Sequence, residues 1–350
     1  MVEPITINGR EISNTNRPYV IAEMSGNHNN SLRKALSIVR AASECGADAI
    51  KLQAYTPEQI TIKSSNNDFI ISDEESLWKD RSLYDLYQEA YTPREWFEEI
   101  ILEAQKLNID CFSSVFDELD VEFLEELNVP AYKIASFENN HLPLIRKVAS
   151  TKKPVIISTG VSTEEEIKEA VENARESGCT QLALLKCNSS YPAKIDETNL
   201  MSIPVLREKF DCIVGLSDHS MGIGAAVGSV VLGSSIIEKH FIVSRGDKGV
   251  DSSFSSDVSE FSLLVSEVNN VWEALGTSEL RITEGEKGSK MFKRSIYACD
   301  YVKKGDKFSV SNIKVIRPGF GLHPRHFDEI LGKTSLRDLS PGDRIDKSCF

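Results

Sequence analysis

Short apolar runs recur along the chain, and each ends in polar or charged residues. They are too short for helices and are apolar throughout instead of alternating, which is typical of strands buried on both faces of a parallel sheet. Amphipathic segments lie between them; Ser31–Cys45, for example, has helical spacing and ends before Gly46. This alternation predicts a (β/α)₈ TIM barrel. The eight runs are Val20–Met24, Ala49–Gln53, Asp110–Ser114, Ala131–Ser136, Val155–Thr159, Leu182–Cys187, Ile213–Asp218 and Ile236–His240.

Three stretches depart from this alternation. An Asn-Gly pair within Ile5–Ile12 predicts a hairpin that covers the barrel floor. The connection from Gln53 to Arg94 is long and rich in aromatic residues, which favours a lid over a substrate. From these patterns we predict a catalytic barrel over residues 1–276, a polar linker over 277–289 and a small β-rich domain over 290–350.

Composition and charge exclude several classes of protein. A net charge of -13 argues against a protein that binds duplex nucleic acid, although a local lysine cluster can still bind a small anion. No apolar run reaches the length of a membrane span, and Met1–Arg10 lacks the features of a signal peptide. The seven cysteines form no CxxC pair. We therefore expect a cytoplasmic protein with no membrane or nucleic-acid partner.

The carboxyl ends of barrel strands form the active site in this fold. Lys51, Lys133 and Lys186 occupy such ends, and because like charges repel, we expect an anion such as a phosphate between them. Glu23 ends the first strand, where it would act as a general base, hold a sugar hydroxyl or simply pair with a lysine. Neutral donors to the anion are expected from the other strand ends, namely Ser113, Ser136, Ser158 and Ser217.

His219 and His240 end the last two strands, which are neighbours in a barrel. Two imidazoles there would bind a divalent metal with open positions, such as Mn²⁺, Mg²⁺, Zn²⁺ or Co²⁺; the alternative is one core and one surface histidine. Asp251 follows the eighth strand and would contact hydroxyls or metal-bound water, or lie in a solvated turn. Arg317 lies beside a Pro-Gly turn that would hold its guanidinium toward a carbonyl or carboxylate.

Taken together, these motifs resemble the sialic acid synthase family, and in particular its branch that makes pseudaminic acid. The C-terminal module resembles the antifreeze-like (SAF) domain of those enzymes. The matching segments are Ala22–Ser25, Asn27–Asn29, Lys51–Gln53, Leu77–Lys79, Ser82–Tyr87, Tyr132–Asn139, Ile157–Gly160, Gly215–His219, Ile237–Phe241 and Arg317–Gly319.

The resemblance implies condensation of phosphoenolpyruvate with 2,4-diacetamido-2,4,6-trideoxy-L-altrose and water to give pseudaminic acid and phosphate. It implies a metal, expected to be Mn²⁺, on His219 and His240, and a domain-swapped homodimer in which Arg317 serves the other subunit. With Ser158 from the strand-end pattern, the expected phosphoenolpyruvate site comprises Lys51, Ser113, Lys133, Ser136, Ser158, Ser189 and Ser217. The expected sugar contacts are Glu23, Gln53, Glu138, Tyr191, Asp251 and Arg317.

Two departures from the family pattern bear on the substrate. Ser25 and Asn30 stand where sialic acid synthases usually have glycine, which favours the pseudaminic branch. Gly249-Val250 replaces a frequent Gly-Pro and leaves the direction of Asp251 open. The alternatives are an enzyme of the same type acting on N-acetylmannosamine or a legionaminic precursor, a Schiff-base aldolase using Lys133, and a non-catalytic binding protein.

Overall fold

The computed structural model describes residues 2–350, and its larger unit is a closed barrel of eight parallel strands. This confirms the predicted (β/α)₈ fold. Each strand pairs with the next along the chain, and the last pairs with the first. An N-terminal hairpin of β1 (Ile5–Ile7) and β2 (Arg10–Ile12) precedes the barrel. The barrel strands are β3 (Tyr19–Glu23), β4 (Ala49–Ala54), β5 (Asp110–Val115), β6 (Tyr132–Ile134), β7 (Val155–Ser158), β8 (Leu182–Cys187), β9 (Ile213–Asp218) and β10 (Ile236–His240).

The helices follow the strands and pack around the barrel. Local capping fixes where helices begin. In the helix that begins at Glu164, for example, the Thr163 hydroxyl accepts from the Glu166 N–H, and the Glu166 carboxylate accepts from the Thr163 N–H. No helix within residues 2–350 is long and apolar enough to cross a membrane. The helices of this unit are α1 (Leu32–Glu44), α2 (Pro57–Ile60), α3 (Leu83–Ala90), α4 (Phe97–Lys106), α5 (Glu118–Glu126), α6 (Leu142–Ser150), α7 (Glu164–Glu176), α8 (Ser202–Phe210), α9 (Gly224–Val231) and α10 (Val258–Leu275).

The hairpin lies at the amino ends of the barrel strands. Its turn uses Asn8 and Gly9, both with positive φ, as a two-residue hairpin turn requires. The Thr6 N–H donates to Gln181 Oε1 over 2.6 Å, and Asn8 Nδ2 donates to Asp110 Oδ1 over 2.9 Å. Because Gln181 precedes β8 and Asp110 begins β5, the hairpin covers the floor and leaves the opposite mouth for chemistry.

The long connection after β4 is ordered and lies over the mouth. It contains α2 and α3, and the segment between them folds back on itself through an isolated bridge between Ile70 and Ser82. We call residues 55–94 the lid. Trp78 links the lid to the loop after β10, because its indole N–H donates to the carbonyl of Val250 in that loop over 3.2 Å.

The second unit, Thr277–Phe350, has its own small core. It contains the antiparallel strands β11 (Ser295–Ala298) and β12 (Ile313–Ile316) and the short helix α11 (Phe327–Ile330). Its core side chains include Ile296, Phe308, Ile313, Ile330, Leu339 and Ile345. The separate linker over 277–289 stays a prediction.

Candidate active site

Strand register places the ionisable side chains in a row across the mouth. His240 of β10 lies beside Glu23 of β3, and Glu23 lies beside Lys51 of β4. Side chains alternate along a strand, so Glu238, two residues before His240, faces the same interior. All four are buried. The fold therefore assembles, at one end of the barrel, groups that are distant in sequence.

Lys51 is neutralised by protein carboxylates. Its ammonium forms a salt bridge with Glu23 and lies 3.6 Å from Glu238 Oε1, and its Nζ also donates to Ser114 Oγ over 2.9 Å. Burial lowers the pKa of Lys51, but the two carboxylates outweigh it and hold the pKa above the usual value. The expectation that the lysines need an external anion between them is therefore wrong for Lys51.

Lys133 has a different environment, because no carboxylate of residues 2–350 lies within salt-bridge distance of it. Its Nζ donates to Ser158 Oγ over 2.7 Å and to the Ile134 carbonyl over 3.2 Å. A lysine ammonium has three N–H donors, so one remains for another acceptor. Burial, together with Lys51, lowers the pKa of Lys133. An anionic ligand would supply both the missing acceptor and the missing charge.

Hydroxyl groups crowd around Gly160, next to Lys133 and Ser158. The Gly160 N–H donates to Ser136 Oγ over 3.1 Å. A Cβ at Gly160 would lie 2.1 Å from Ser189 Oγ and 2.6 Å from Ser136 Oγ, so only glycine lets both hydroxyls approach. Together these groups form a cluster of neutral donors beside the free ammonium.

Two other serines of the predicted anion site are placed differently. The Ser113 hydroxyl donates to the carbonyl of Ser114, and it is Ser114 that contacts Lys51. Ser113 therefore does not contact Lys51, and the parallel register, which pairs Gln53 with Ser114, explains why Ser114 does. Binding of phosphoenolpyruvate by Ser113 stays a prediction. Ser217 lies in the interior, 3.4 Å from Glu238 Oε1.

Lys186 does not join the cluster. Its Nζ donates to the carbonyl of Cys187, and Cys187 is the residue that faces the interior, with its sulfur 3.8 Å from His219 Nδ1. Strand alternation then directs Lys186 to the other face of β8. Glu238 and Cys187 were missed by sequence reasoning, although counting back two residues from His240 would have found Glu238.

Two buried carboxyl groups have pKa values near neutrality. Burial raises the pKa of Glu23 to about 7, against the opposing effect of Lys51. Glu23 Oε1 accepts from the Ser25 N–H and from Gln53 Nε2, each over 3.0 Å. Burial also raises the pKa of Glu138 to about 7, and Glu138 Oε2 has no hydrogen-bond partner. Both groups can therefore exchange a proton near pH 7.

The His219 and His240 rings lie together, with centroids 5.2 Å apart. His219 Nδ1 is 2.8 Å from the carbonyl of Asn188, which leaves its Nε2 available as a ligand. Burial, with the nearby cations His219 and Lys51, lowers the pKa of His240 well below its usual value, so its ring is neutral. Its buried Nδ1 has no hydrogen-bond partner.

These properties fit an open divalent-metal site. Neutral imidazoles are good ligands for such ions, and an unpartnered buried nitrogen is costly without one. Residues 2–350 contain no group of three or more histidine, cysteine or acidic side chains arranged to hold a metal. Only the two imidazoles would therefore come from the protein, leaving positions for water and substrate.

Aromatic side chains enclose the imidazoles. The Tyr191 ring lies 4.3 Å from that of His219 and 5.3 Å from that of Phe254, and Trp78 of the lid lies 5.7 Å from Tyr191. Asp251 is buried beside them, with its carboxylate 3.7 Å from His240 Nδ1. It accepts a hydrogen bond from the Ser25 hydroxyl, so Asp251 points into the site despite the Gly-Val sequence before it.

A cavity of about 780 Å³ opens above these groups and beneath the lid. Gln53, Glu138, Ser189, Tyr191, His240 and Asp251 are among the residues that line it. Arg317 belongs to the second unit, where it follows β12 in a loop held by Ser295 Oγ donating to the Pro318 carbonyl over 2.6 Å. Within that unit Arg317 forms no hydrogen bond or ion pair with another described side chain. The roles assigned to individual site residues stay predictions.

Comparison with known proteins gives two family matches and close relatives. The NeuB family matches residues 38–280, and the SAF domain matches residues 293–350. The chain is 46% identical to the pseudaminic acid synthase of Campylobacter jejuni over 332 residues, covering 95% of this chain and 96% of that protein. It is 42% identical to the pseudaminic acid synthase of Helicobacter pylori, covering 92% and 94%.

The fold is also similar to a solved structure. The N-acetylneuraminic acid (sialic acid) synthetase of Leptospira borgpetersenii, crystallised in complex with citrate, superposes with a TM-score of 0.74 at 31% identity. The alignment covers 83% of this chain and 95% of that one.

Proposed function

The chain belongs to the NeuB family and carries a C-terminal SAF domain, and from this premise we propose that it is a pseudaminic acid synthase. It condenses phosphoenolpyruvate with 2,4-diacetamido-2,4,6-trideoxy-L-altrose and water to give pseudaminic acid and phosphate. The observation that carries the proposal is the gathering of a free ammonium (Lys133), buried carboxyls and two imidazoles at one mouth of the barrel, where the cavity opens. Relatives named as pseudaminic acid synthases, which align over nearly the whole chain, support the choice of product.

Phosphoenolpyruvate is held by the Lys51 and Lys133 side of the mouth. Lys133 offers its unused N–H donor to the anion, and the hydroxyls of Ser136, Ser158 and Ser189 offer neutral donors around it. Lys51 is already paired with Glu23. Lys51 therefore has two roles, to hold the Glu23 carboxyl in place and to contact the substrate. A preorganised charged donor of this kind stabilises the departing phosphate.

The sugar reacts as its open-chain aldehyde, from the imidazole side. A divalent ion, which we propose to be Mn²⁺, would be held by His219 and His240 and would supply Lewis-acid polarisation of the aldehyde oxygen. C3 of phosphoenolpyruvate forms the new bond to C1 of the sugar. Water adds to C2, and the C2–O bond to phosphate breaks to leave a ketone.

Proton transfers fall to the buried carboxyls. Glu23 and Glu138 have pKa values near 7, so each can give a proton to the new hydroxyl or take one from the attacking water. Gln53, Tyr191 and Asp251 line the cavity and hold the sugar. Completion of the site by Arg317 from the partner subunit of a domain-swapped homodimer is part of the proposal. So is a cytoplasmic location, which fits the seven free cysteines.

The proposal is tested by product analysis across a panel of sugars. Phosphoenolpyruvate is supplied with 2,4-diacetamido-2,4,6-trideoxy-L-altrose, with the legionaminic precursor 2,4-diacetamido-2,4,6-trideoxy-mannose, and with N-acetylmannosamine. Phosphate release and the mass of the product are followed, with Mn²⁺ present. We expect the first sugar to be consumed with the highest kcat/KM and to yield pseudaminic acid. Preference for another sugar would assign the chain to a different branch of the family.

Lys133 also has the lowered pKa that a Schiff-base lysine needs, so aldolase chemistry has a specific observation behind it. Borohydride treatment in the presence of pyruvate separates the two reactions. We expect no covalent adduct on the protein. A stable adduct on Lys133, together with activity in the absence of phosphoenolpyruvate, would favour the aldolase.

A further inference from the structure

The lining of the cavity includes apolar as well as polar side chains. Above β4 and β5 its lining contains a group of aliphatic and aromatic side chains contributed by the lid and by the end of β5. We call this group the lid-side wall. Its members are Ile60, Ile71, Leu83, Leu86 and Phe116. Ligand pockets are commonly lined by apolar side chains around a few polar groups, so we expect this wall to contact an apolar part of the substrate.

Barrel topology places Phe116, the member of the lid-side wall that follows a barrel strand, far from the imidazoles. Phe116 follows β5 and His219 follows β9, and these strands are separated by four steps in either direction around the eight-stranded barrel. They are therefore diametrically opposed. Tyr55, which follows β4, packs against Phe116 with ring centroids 5.0 Å apart, and it lies opposite the β8 side.

The polar part of the lid turns to the other side of the cavity. Glu75 lies 3.6 Å from the ammonium of Lys194, which follows β8. Two tyrosine rings border the wall: Tyr87 of α3 lies 5.8 Å from Tyr55, the ring that packs against Phe116. The aliphatic members of the lid-side wall offer no side-chain hydrogen-bond partner of their own.

We propose that the lid-side wall is a specificity subsite that receives the C6 methyl group of the sugar and selects a 6-deoxy hexose over its 6-hydroxy counterpart. The inference rests on the proposed function and deepens it. C1 of the open-chain sugar must reach the imidazoles, and C6 is the carbon farthest from C1. The sugar's amides need polar partners, and Gln53, Glu138 and Asp251, which also line the cavity, can supply them. The C6 methyl group needs no hydrogen-bond partner.

Discrimination follows from desolvation. A C6 hydroxyl in this subsite would lose its water and find no partner, whereas a methyl group gains contact with the wall. Apolar pockets reject an added hydroxyl only moderately, so we expect wild-type kcat/KM to favour the deoxy sugar by roughly 10- to 100-fold.

The experiment compares 2,4-diacetamido-2,4,6-trideoxy-L-altrose with 2,4-diacetamido-2,4-dideoxy-L-altrose, which carries the C6 hydroxyl. Phosphate release gives kcat/KM for each sugar with the full-length protein. Ile71→Thr adds a hydroxyl to the wall, keeps the branched Cβ and removes one carbon. Ile62→Thr is the matched control, because Ile62 is also in the lid but is 61% exposed and does not line the cavity. Leu83→Asn is a second wall variant.

The measured quantity is the ratio of the two kcat/KM values, which a general loss of lid order does not change. We expect Ile71→Thr and Leu83→Asn to reduce the preference for the deoxy sugar by roughly 3- to 10-fold, the effect of one hydrogen bond, while Ile62→Thr keeps the wild-type ratio. Equal use of both sugars by the wild type would overturn the subsite and leave the proposed function standing. Turnover of neither sugar would overturn both.

Discussion

Two lysines at the same barrel mouth have different partners, and this difference indicates that they have different roles. Lys51 is held between Glu23 and Glu238, so its charge is already balanced by the protein. Lys133 has only a hydroxyl and a carbonyl as partners, so a buried positive charge remains for a ligand. Burying an unpaired charge is costly, and a protein retains such a group where function requires it.

Replacing Lys133 should therefore nearly abolish turnover without unfolding the chain. Lys133→Ala removes one preorganised charged donor, which is worth about 2.7–4 kcal/mol, or roughly 10²- to 10³-fold in kcat. No carboxylate is left without its salt-bridge partner, so thermal unfolding should be little changed. Lys186→Ala is the matched control, since Lys186 faces away from the site on β8. Normal phosphate release by Lys133→Ala would refute the anion-binding role.

A buried histidine away from the chemistry predicts how stability depends on pH. Burial lowers the pKa of His28 from 6.5 to about 4, and its Nε2 lies 3.1 Å from Thr92 Oγ1. A folded-state pKa below the unfolded value means that the unfolded chain binds the proton more tightly. This group's contribution is therefore complete above pH 6.5 and is lost as the pH falls through 4.

We expect the free energy of unfolding to fall by about 2 kcal/mol from this group between pH 7 and pH 5. Urea denaturation of the wild type and of His28→Gln at the two pH values measures it. The variant should be less stable at pH 7 but should show a shallower pH dependence. Equal slopes in the two proteins would show that His28 titrates normally.

At the scale of the strand, the end of β7 is built for close approach. Gly160 follows β7, and its missing side chain admits the hydroxyls of Ser136 and Ser189, which come from the loops after β6 and β8. Three consecutive strand ends thus form one donor cluster next to Lys133. The two hydroxyls can approach this closely only because Gly160 has a hydrogen atom where other residues have a Cβ.

Gly160→Ala should therefore displace the serine hydroxyls and raise the KM for phosphoenolpyruvate by roughly 10-fold or more, the effect of losing one or two hydrogen bonds to an anion. Gly224→Ala is the control, because a Cβ at Gly224 meets no atom within 4 Å. Steady-state kinetics at saturating sugar separates KM from kcat. An unchanged KM in Gly160→Ala would show that these hydroxyls do not contact the substrate.

The strands and their order could be predicted from the sequence, because eight buried runs alternating with amphipathic helices allow few topologies. Which residues of each strand face the barrel interior could not be predicted. A run that is apolar throughout does not show which residues face the barrel interior, so Ser113 was chosen over Ser114 and Lys186 was placed with Lys133. Glu238 was missed because it lies within an otherwise apolar run; its position two residues before His240 and its register beside Ser217 both place it in the interior.

At the scale of the whole molecule, the proposed dimer makes a quantitative prediction. If Arg317 completes the partner's site, Arg317→Ala and Lys133→Ala are each inactive alone. Co-expressed subunits would form mixed dimers that contain one intact site, so random pairing restores about a quarter of wild-type activity per protomer. Phosphate release by the purified mixture measures this. Absence of any recovery would place Arg317 with its own subunit or outside the site.

The central claim is that Lys133 and the imidazole pair act on two substrates in one cavity, and the dependence of phosphate release on sugar and metal tests it most directly. Phosphoenolpyruvate is incubated with the protein, with and without the diacetamido sugar, after exhaustive chelation and again after addition of Mn²⁺. We expect phosphate to appear only when both sugar and metal are present. Full phosphate release from the chelated protein, or release without sugar, would contradict it.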